Sequence, residues 1–130
     1  MRHQPTADDL ERLARDAYAR LPEGVRQLTE GVVIRVVDFA DPEVLDDLGI
    51  DDPYDLLGLY QGIHIGEKGV DLSGALPDMI FLYAEPLLSF WRAGTDSLDA
   101  VITHVLVHEI GHHFGLSDED MHRIEDAAGD

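Results

Sequence analysis

Residues 108–118 read HEIGHHFGLSD, and this stretch decides which fold and chemistry we expect of the chain. His108 and His112 are four residues apart, so on a helix they project from the same face, one turn from each other. That spacing lets both imidazoles reach one metal ion at about 2.0–2.1 Å. Glu109 lies roughly 100° around the helix from His108, beside such an ion but not bound to it. The stretch therefore predicts a metal-binding helix that carries its own acid–base residue.

The residues after the second histidine indicate how the metal site closes. Gly115 can take the positive φ that ends a helix and turns the chain back. Asp118 follows three residues later and is the expected third ligand, with His122 as the rival if the turn carries Asp118 outward. Two neutral imidazoles and one carboxylate leave a fourth position for water, which is typical of catalytic rather than structural zinc sites.

A purely structural explanation competes with the metal site. In it, His108, Glu109 and His112 only form hydrogen bonds within the core, or the glutamate pairs with a surface base. We favour the metal because a glycine and an aspartate stand at the required offsets and because the surrounding helix is apolar. His104, one turn before His108, is expected to be a satisfied core or cleft histidine, and His113 to be structural.

The rest of the chain predicts a small sheet packed against helices. The metal helix should begin at Thr95 or Asp96 and be mostly buried, because its non-motif residues are largely apolar. The other predicted elements are a helix from Thr6 to Leu21, a largely buried strand at 32–37, helical turns at 43–48 and 87–91, strands at 56–62 (extending to 65) and 79–83, and a final helix at 117–126. Because helices and strands do not alternate regularly, we expect an α+β fold in one domain over residues 1–130.

Composition limits the class of protein and its partners. The chain has 130 residues and a formal net charge of −18, so it should not bind nucleic acid or anionic lipid. It has no cysteine, which excludes disulfides and thiolate zinc sites. We find no signal peptide and no apolar run of about 18 residues, and therefore expect a cytoplasmic protein that is a monomer or a weak homo-oligomer.

The motif and several other stretches resemble a known family. Residues 108–118 resemble the extended zinc motif of zincin metallopeptidases, in the metzincin-like form with aspartate in place of the third histidine. The chain as a whole is similar to the small, acidic, bacterial minimal zincins. The similar stretches are 58–62, 76–88 and 107–123.

This resemblance implies a short mixed sheet over an active-site helix. It also implies that Zn²⁺ is held by His108, His112 and Asp118 and that Glu109 is the general base. Few residues follow Asp118, so we expect no lower subdomain to wall the cleft. Met121 stands too close to Asp118 to form a separate methionine turn. The resemblance therefore implies more about the metal chemistry of this chain than about its substrate pocket.

Three functions follow from these features. A zinc peptidase would use Glu109 to activate water while a peptide lies along an edge strand at 56–61. A zinc-binding interaction module would keep the metal without turnover, but it needs no base. An acidic decoy would bind a basic partner whether or not zinc is present. Tyr60, Tyr83 and Arg123 are candidates for stabilising an oxyanion, although core packing better explains the two tyrosines. We expect the peptidase, acting on a peptide or protein substrate.

Overall fold

The computed structural model describes residues 4–62 and 78–129, which form six α-helices and three strands. The extension of the second strand that the sequence predicts at residues 63–65 lies outside the described residues. In chain order the elements are α1 (Ala7–Arg20), α2 (Glu23–Leu28), β1 (Val33–Val37), α3 (Pro42–Leu48), β2 (Gly58–Gln61), β3 (Met79–Tyr83), α4 (Ala84–Ala93), α5 (Leu98–Phe114) and α6 (Asp118–Gly129).

The three strands form one mixed sheet in the order β1-β3-β2. Strand β1 runs parallel to β3, and β2 runs antiparallel to it. Together with the helices, this sheet confirms the predicted α+β class. The prediction that the first strand is largely buried was wrong, because only Ile34 of β1 is buried while Arg35 and Val37 are exposed. β1 is an edge strand, so alternate residues point away from the core that α1 covers.

The main core lies where α1 and α5 pack against the sheet. Eight of the 17 residues of α5 are buried, which confirms the predicted buried helix. Fully buried core residues come from α1, β3, α4 and α5: Leu10, Ile80, Leu82, Leu87, Ile102 and Leu106. A second, smaller cluster is formed by Ala40, Leu45 and Tyr83. Helix α5, which carries the predicted metal ligands, is therefore packed between the sheet and the other helices.

The boundaries of three helices show how local sequence sets their ends. Thr6 caps α1 in a capping box with Asp9, as its position predicts. Helix α5 is capped by Ser97, whose side chain accepts a hydrogen bond from the N–H of Ala100, and not by Thr95 or Asp96. α4 begins before Pro86, since proline is tolerated in the first helical turn. The sequence predicts that Phe90 lies in the core together with Trp91, but Phe90 is 53% exposed on α4.

Within residues 4–62 and 78–129, no helix has the length and apolar character needed to cross a bilayer.

Candidate metal centre

Helices α5 and α6 are joined by a tight turn at the end of the motif. Gly115 has φ 70° and ψ 31°, the left-handed conformation that the sequence predicts there. The N–H of Leu116 donates to the carbonyl of Gly111 at 2.8 Å, which closes the end of α5. Ser117 then accepts a hydrogen bond from the N–H of Asp120 at 3.1 Å and caps α6. α6 is thus turned back to pack along α5.

Gly111 sets how closely α6 approaches the metal helix. A Cβ atom built on Gly111 would overlap the Sδ of Met121 and lie 2.6 Å from its Cγ. Met121 is 1% exposed, so its side chain fills the space that the missing Cβ leaves. The close approach brings the polar side chains of the two helices face to face beside this contact.

Three of these side chains converge between the helices. Nδ1 of His104 lies 2.8 Å from Oε1 of Glu125, and Nε2 of His108 lies 2.9 Å from the same oxygen. The rings of His104 and His108 have centroids 4.0 Å apart. Within the described ranges, these three residues are the group whose potential ligand atoms all lie within 4.8 Å of one another. We call His104, His108 and Glu125 the seam cluster.

Burial makes the seam cluster electrostatically unusual. Nε2 of His108 and Oε1 of Glu125 are both buried, and neither has a partner in hydrogen-bond geometry among the described residues despite their close contact. Burial lowers the pKa of His108, the neighbouring His104 lowers it further, and the Glu125 carboxylate opposes both effects. The net decrease keeps the His108 imidazole neutral, which is the form that binds a metal ion.

The other residues of the predicted zinc set, His112 and Asp118, are not part of the seam cluster. His112 is exposed, and its ring centroid lies 5.7 Å from that of His108. Asp118 is exposed at the first residue of α6, and the rival His122 is exposed further along that helix. Ligation by His108, His112 and Asp118 therefore stays a prediction, for which both the helical spacing and the turn at Gly115 are in place.

Sequence reasoning did not identify Glu125. The motif nevertheless contained a signal for it. A helix that turns back at Gly115 runs antiparallel to α5. Residues late in that helix therefore lie next to residues of α5 well before the turn. Glu125 is two turns beyond Asp118 on α6, and His104 is two turns before His112 on α5. His104, predicted to be a satisfied core or cleft histidine, has a side chain 51% exposed, lines a cleft and contacts Glu125, so it is a cleft histidine and not a core one.

Glu109 faces the sheet rather than α6. Burial raises the pKa of Glu109, while the charge of His112 and the backbone amide of Tyr60 partly offset that rise. The Glu109 carboxylate also helps to raise the pKa of Tyr83, after burial and the charge of Asp41. Glu109 therefore lies between the histidines of α5 and strands β2 and β3, in a setting that favours its protonated form more than an exposed position would.

Strand β2 is attached to the end of α5 by aromatic contacts. The Tyr60 hydroxyl donates to the Asp78 carboxylate at 2.7 Å. The His113 ring stacks on Tyr60 at a centroid distance of 4.0 Å, and Phe114 meets the same ring edge-on at 5.7 Å. The two candidate tyrosines are buried, as core packing requires, and Arg123 pairs with Asp120. These contacts hold β2 beside Glu109.

Two clefts flank strand β2. The first, of about 380 Å³, is lined at the end of the strand by Tyr60, Gln61, Gly62 and His113, together with α3. The second, of about 260 Å³, lies over the sheet face and includes Leu59, Phe81 and Tyr83. As the described residues define them, both clefts border β2, and neither is lined by Glu109, His108 or His112.

A family model described as a zincin-like metallopeptidase matches residues 29–128. This match extends from just before β1 to the end of α6 and covers most of the chain. The chain belongs to the zincin-like metallopeptidase family. Membership in this zincin-like family implies zinc binding and suggests a hydrolase at the family level. A comparison with curated proteins finds none that matches the chain.

The donor chemistry of the α5–α6 surface fits the zinc ion that the zincin-like family implies. Its candidate ligands are imidazole nitrogens and carboxylate oxygens, which zinc binds in proteins. Nε2 of His108 is buried 2.9 Å from Oε1 of Glu125, outside hydrogen-bond geometry, and in its unprotonated form this nitrogen can bind a cation. The acidic charge of the chain, −18, further favours a divalent cation.

Tyr83 provides a prediction for stability at high pH. Burial raises its pKa from 10.0 to about 12 in the folded protein. Between those values the unfolded chain loses the tyrosine proton while the folded protein keeps it, so the free energy of unfolding should fall as pH rises from 10 to 12. Denaturant titrations of wild type and Tyr83→Phe should show a shallower fall in the variant. Equal slopes would contradict the assigned burial effect.

Proposed function

We propose that the chain is a zinc-dependent peptidase in which Glu109 is the general base. The observation that carries this proposal is the position of Glu109, which lies between the histidines of α5 and the edge strand β2. Burial raises its pKa, so the carboxylate is better matched to accepting a proton near neutral pH than an exposed glutamate would be. Family membership supports hydrolysis as the class of reaction.

The residues that would hold zinc in this proposal are His108, His112 and Asp118. The two histidines are one turn apart on α5, and Asp118 opens α6 immediately after the turn. When bound, Zn²⁺ supplies Lewis-acid activation of water and of the scissile carbonyl. Two helices contribute to this ligand set, so the turn at Gly115 and the packing of α6 determine whether it can assemble.

Glu109 would move one proton twice during hydrolysis. Its carboxylate takes a proton from the attacking water as the water oxygen bonds to the carbonyl carbon. It then gives that proton to the amide nitrogen as the C–N bond breaks, which releases an amine and a carboxylic acid. The backbone amide of Tyr60 stabilises the ionised carboxylate before the first transfer.

The substrate in this proposal is an extended peptide or a flexible protein segment. β2 pairs with β3 on one side, and within the described residues no strand pairs with its other side. An extended peptide can add to such an edge through main-chain hydrogen bonds. The clefts beside Leu59, Tyr60 and Gln61 would receive its side chains.

A paired measurement tests the proposed function. The purified protein is loaded with Zn²⁺, its metal content is measured by elemental analysis, and it is incubated with a mixture of unstructured peptides. We expect new peptide termini by mass spectrometry and their disappearance when a chelator removes the metal. Zinc retained without any cleavage would contradict the peptidase and favour the alternative of an interaction module.

Zinc should stabilise the folded chain in a strongly pH-dependent manner. At a free zinc concentration of 100 times Kd, binding adds about 2.7 kcal/mol to the free energy of unfolding. This gain should be present at pH 7.5 and absent at pH 5, because protonated imidazoles no longer bind metal. The reduced pKa of His108 moves the loss toward lower pH than for an ordinary histidine. Thermal melts with zinc or with chelator, at pH 7.5 and at pH 5, measure this zinc-dependent gain in stability. A gain that does not change with pH would contradict ligation by histidine.

A further inference from the structure

We propose that His104, His108 and Glu125, the seam cluster, form a second divalent-cation site that shares His108 with the predicted zinc set. The two metal sites would lie side by side along the surface between α5 and α6, with His108 common to both. Two imidazoles and one carboxylate favour Zn²⁺ or a similar transition-metal ion over Mg²⁺ or Ca²⁺. The competition between positions, but not the second site itself, rests on the proposed role of His112 and Asp118.

The spacing of the seam cluster suits a metal ion. Tetrahedral bonds of about 2.0–2.1 Å hold ligand atoms about 3.4 Å apart. Oε1 of Glu125 lies 2.8 Å from Nδ1 of His104 and 2.9 Å from Nε2 of His108. A separation of roughly half an ångström more would accommodate the ion, and the exposed His104 side chain can make that adjustment.

Two polar atoms of the seam cluster are buried and face each other. Nε2 of His108 and Oε1 of Glu125 lie 2.9 Å apart, but among the described residues neither has a partner in hydrogen-bond geometry. Their contact therefore compensates only in part for the loss of water. A cation between the two atoms would give each of them a metal–ligand bond.

A cation can reach the seam cluster from solvent. A cleft of about 320 Å³ is lined by residues of α4, α5 and α6 and includes His104 and Glu125. The exposed Asp96 lies on the same cleft and adds negative charge at its mouth. The side chains of His104 and Glu125 therefore lie together in a cleft that is open to solvent.

His108 makes the two positions compete. A neutral imidazole has one nitrogen lone pair and therefore binds one ion at a time. An ion held by His104, His108 and Glu125 leaves only His112 and Asp118 for the predicted zinc set. A chain that carries its ion in the seam cluster is consequently metal-bound but unable to complete the set beside Glu109, so excess zinc would not fill both positions.

The experiment measures metal affinity after the predicted set has been disabled. Asp118→Ala is compared with Asp118→Ala/Glu125→Gln and, as a matched control, Asp118→Ala/Glu119→Gln, which removes an exposed acid from the same helix. Zn²⁺ binding is measured by equilibrium dialysis, and Co²⁺ absorption reports on coordination. We expect Asp118→Ala and the control to bind one ion. Losing a residue that only hydrogen-bonds to a metal ligand weakens metal binding by roughly 10- to 100-fold. We expect Glu125→Gln to weaken Zn²⁺ binding by more than that, because Glu125 would bind the ion directly.

Two further measurements make the test decisive. His104→Ala in the Asp118→Ala background should weaken binding in the same way, and this exposed side chain can be removed without opening the core. Circular dichroism confirms that each variant is folded. Unchanged affinity in both variants would overturn the second site, and two ions bound simultaneously to the wild type would overturn the competition. Neither readout requires peptide cleavage, so failure of the peptidase proposal would be seen separately.

Discussion

Replacing Glu109 with glutamine is expected to leave zinc bound and to reduce peptide hydrolysis by roughly 10²–10⁴-fold, the usual contribution of a positioned acid–base group. Glutamine has the same shape but cannot accept the proton from water. Glu109 is not in the predicted ligand set, so the metal content should stay that of the wild type. The rate is measured as the appearance of new amino termini from an unstructured peptide, with zinc measured in the same sample.

A matched glutamate separates this effect from a general loss of negative charge. Glu30 is exposed on the surface between α2 and β1, and Glu30→Gln makes the same chemical change away from the metal helix. We expect its hydrolysis rate to equal that of the wild type. If Glu109→Gln cleaves the peptide as fast as Glu30→Gln does, Glu109 is not the base and another group must activate water.

The second large effect concerns stability and metal binding together. Gly111→Leu should lower the free energy of unfolding by about 1–3 kcal/mol or more, the usual cost of overpacking. The new side chain would occupy the space that Met121 fills, and Met121 is 1% exposed and has no open side to move into. Moving α6 away from α5 would also separate ligands on the two helices, so zinc affinity should fall with stability.

Gly24→Leu provides the control for this variant. A Cβ on Gly24, in helix α2, meets no atom within 4 Å, so the same exchange there adds helix propensity without a clash. Denaturant titrations and zinc affinities of both variants measure the difference. Removing the Met121 side chain as well, in Gly111→Ala/Met121→Ala, should restore the approach of the helices at the cost of a cavity. A stable Gly111→Leu protein with normal zinc affinity would refute the role of this contact.

Local sequence was sufficient for the elements whose signals lie within a few residues. The start of α1 at Thr6 and the left-handed Gly115 at the end of α5 were both readable from the sequence, because caps and positive φ depend on neighbouring residues. The apolar character of α5 likewise predicted its burial. These features depend on short-range geometry that every chain with the same residues would share.

Exposure of individual side chains was less readable. β1 is rich in β-branched residues, which suit both buried and edge strands, so the pattern could not show that Arg35 and Val37 face solvent. Phe90 lies in an apolar run but on the outer side of α4. Both errors arise because burial depends on what packs against an element, and the partner elements are distant in sequence.

The candidate site also has some features that local sequence predicts and others that depend on tertiary packing. From sequence alone the chain predicted a metal-binding helix, with His108 and His112 one turn apart, Glu109 beside them and a turn that returns the chain toward Asp118. Only the tertiary structure brought Glu125 against His104 and His108 and Glu109 against strand β2. Helical spacing is fixed by the backbone repeat, whereas the approach of α6 to α5 depends on the space between Gly111 and Met121, ten residues apart along the chain.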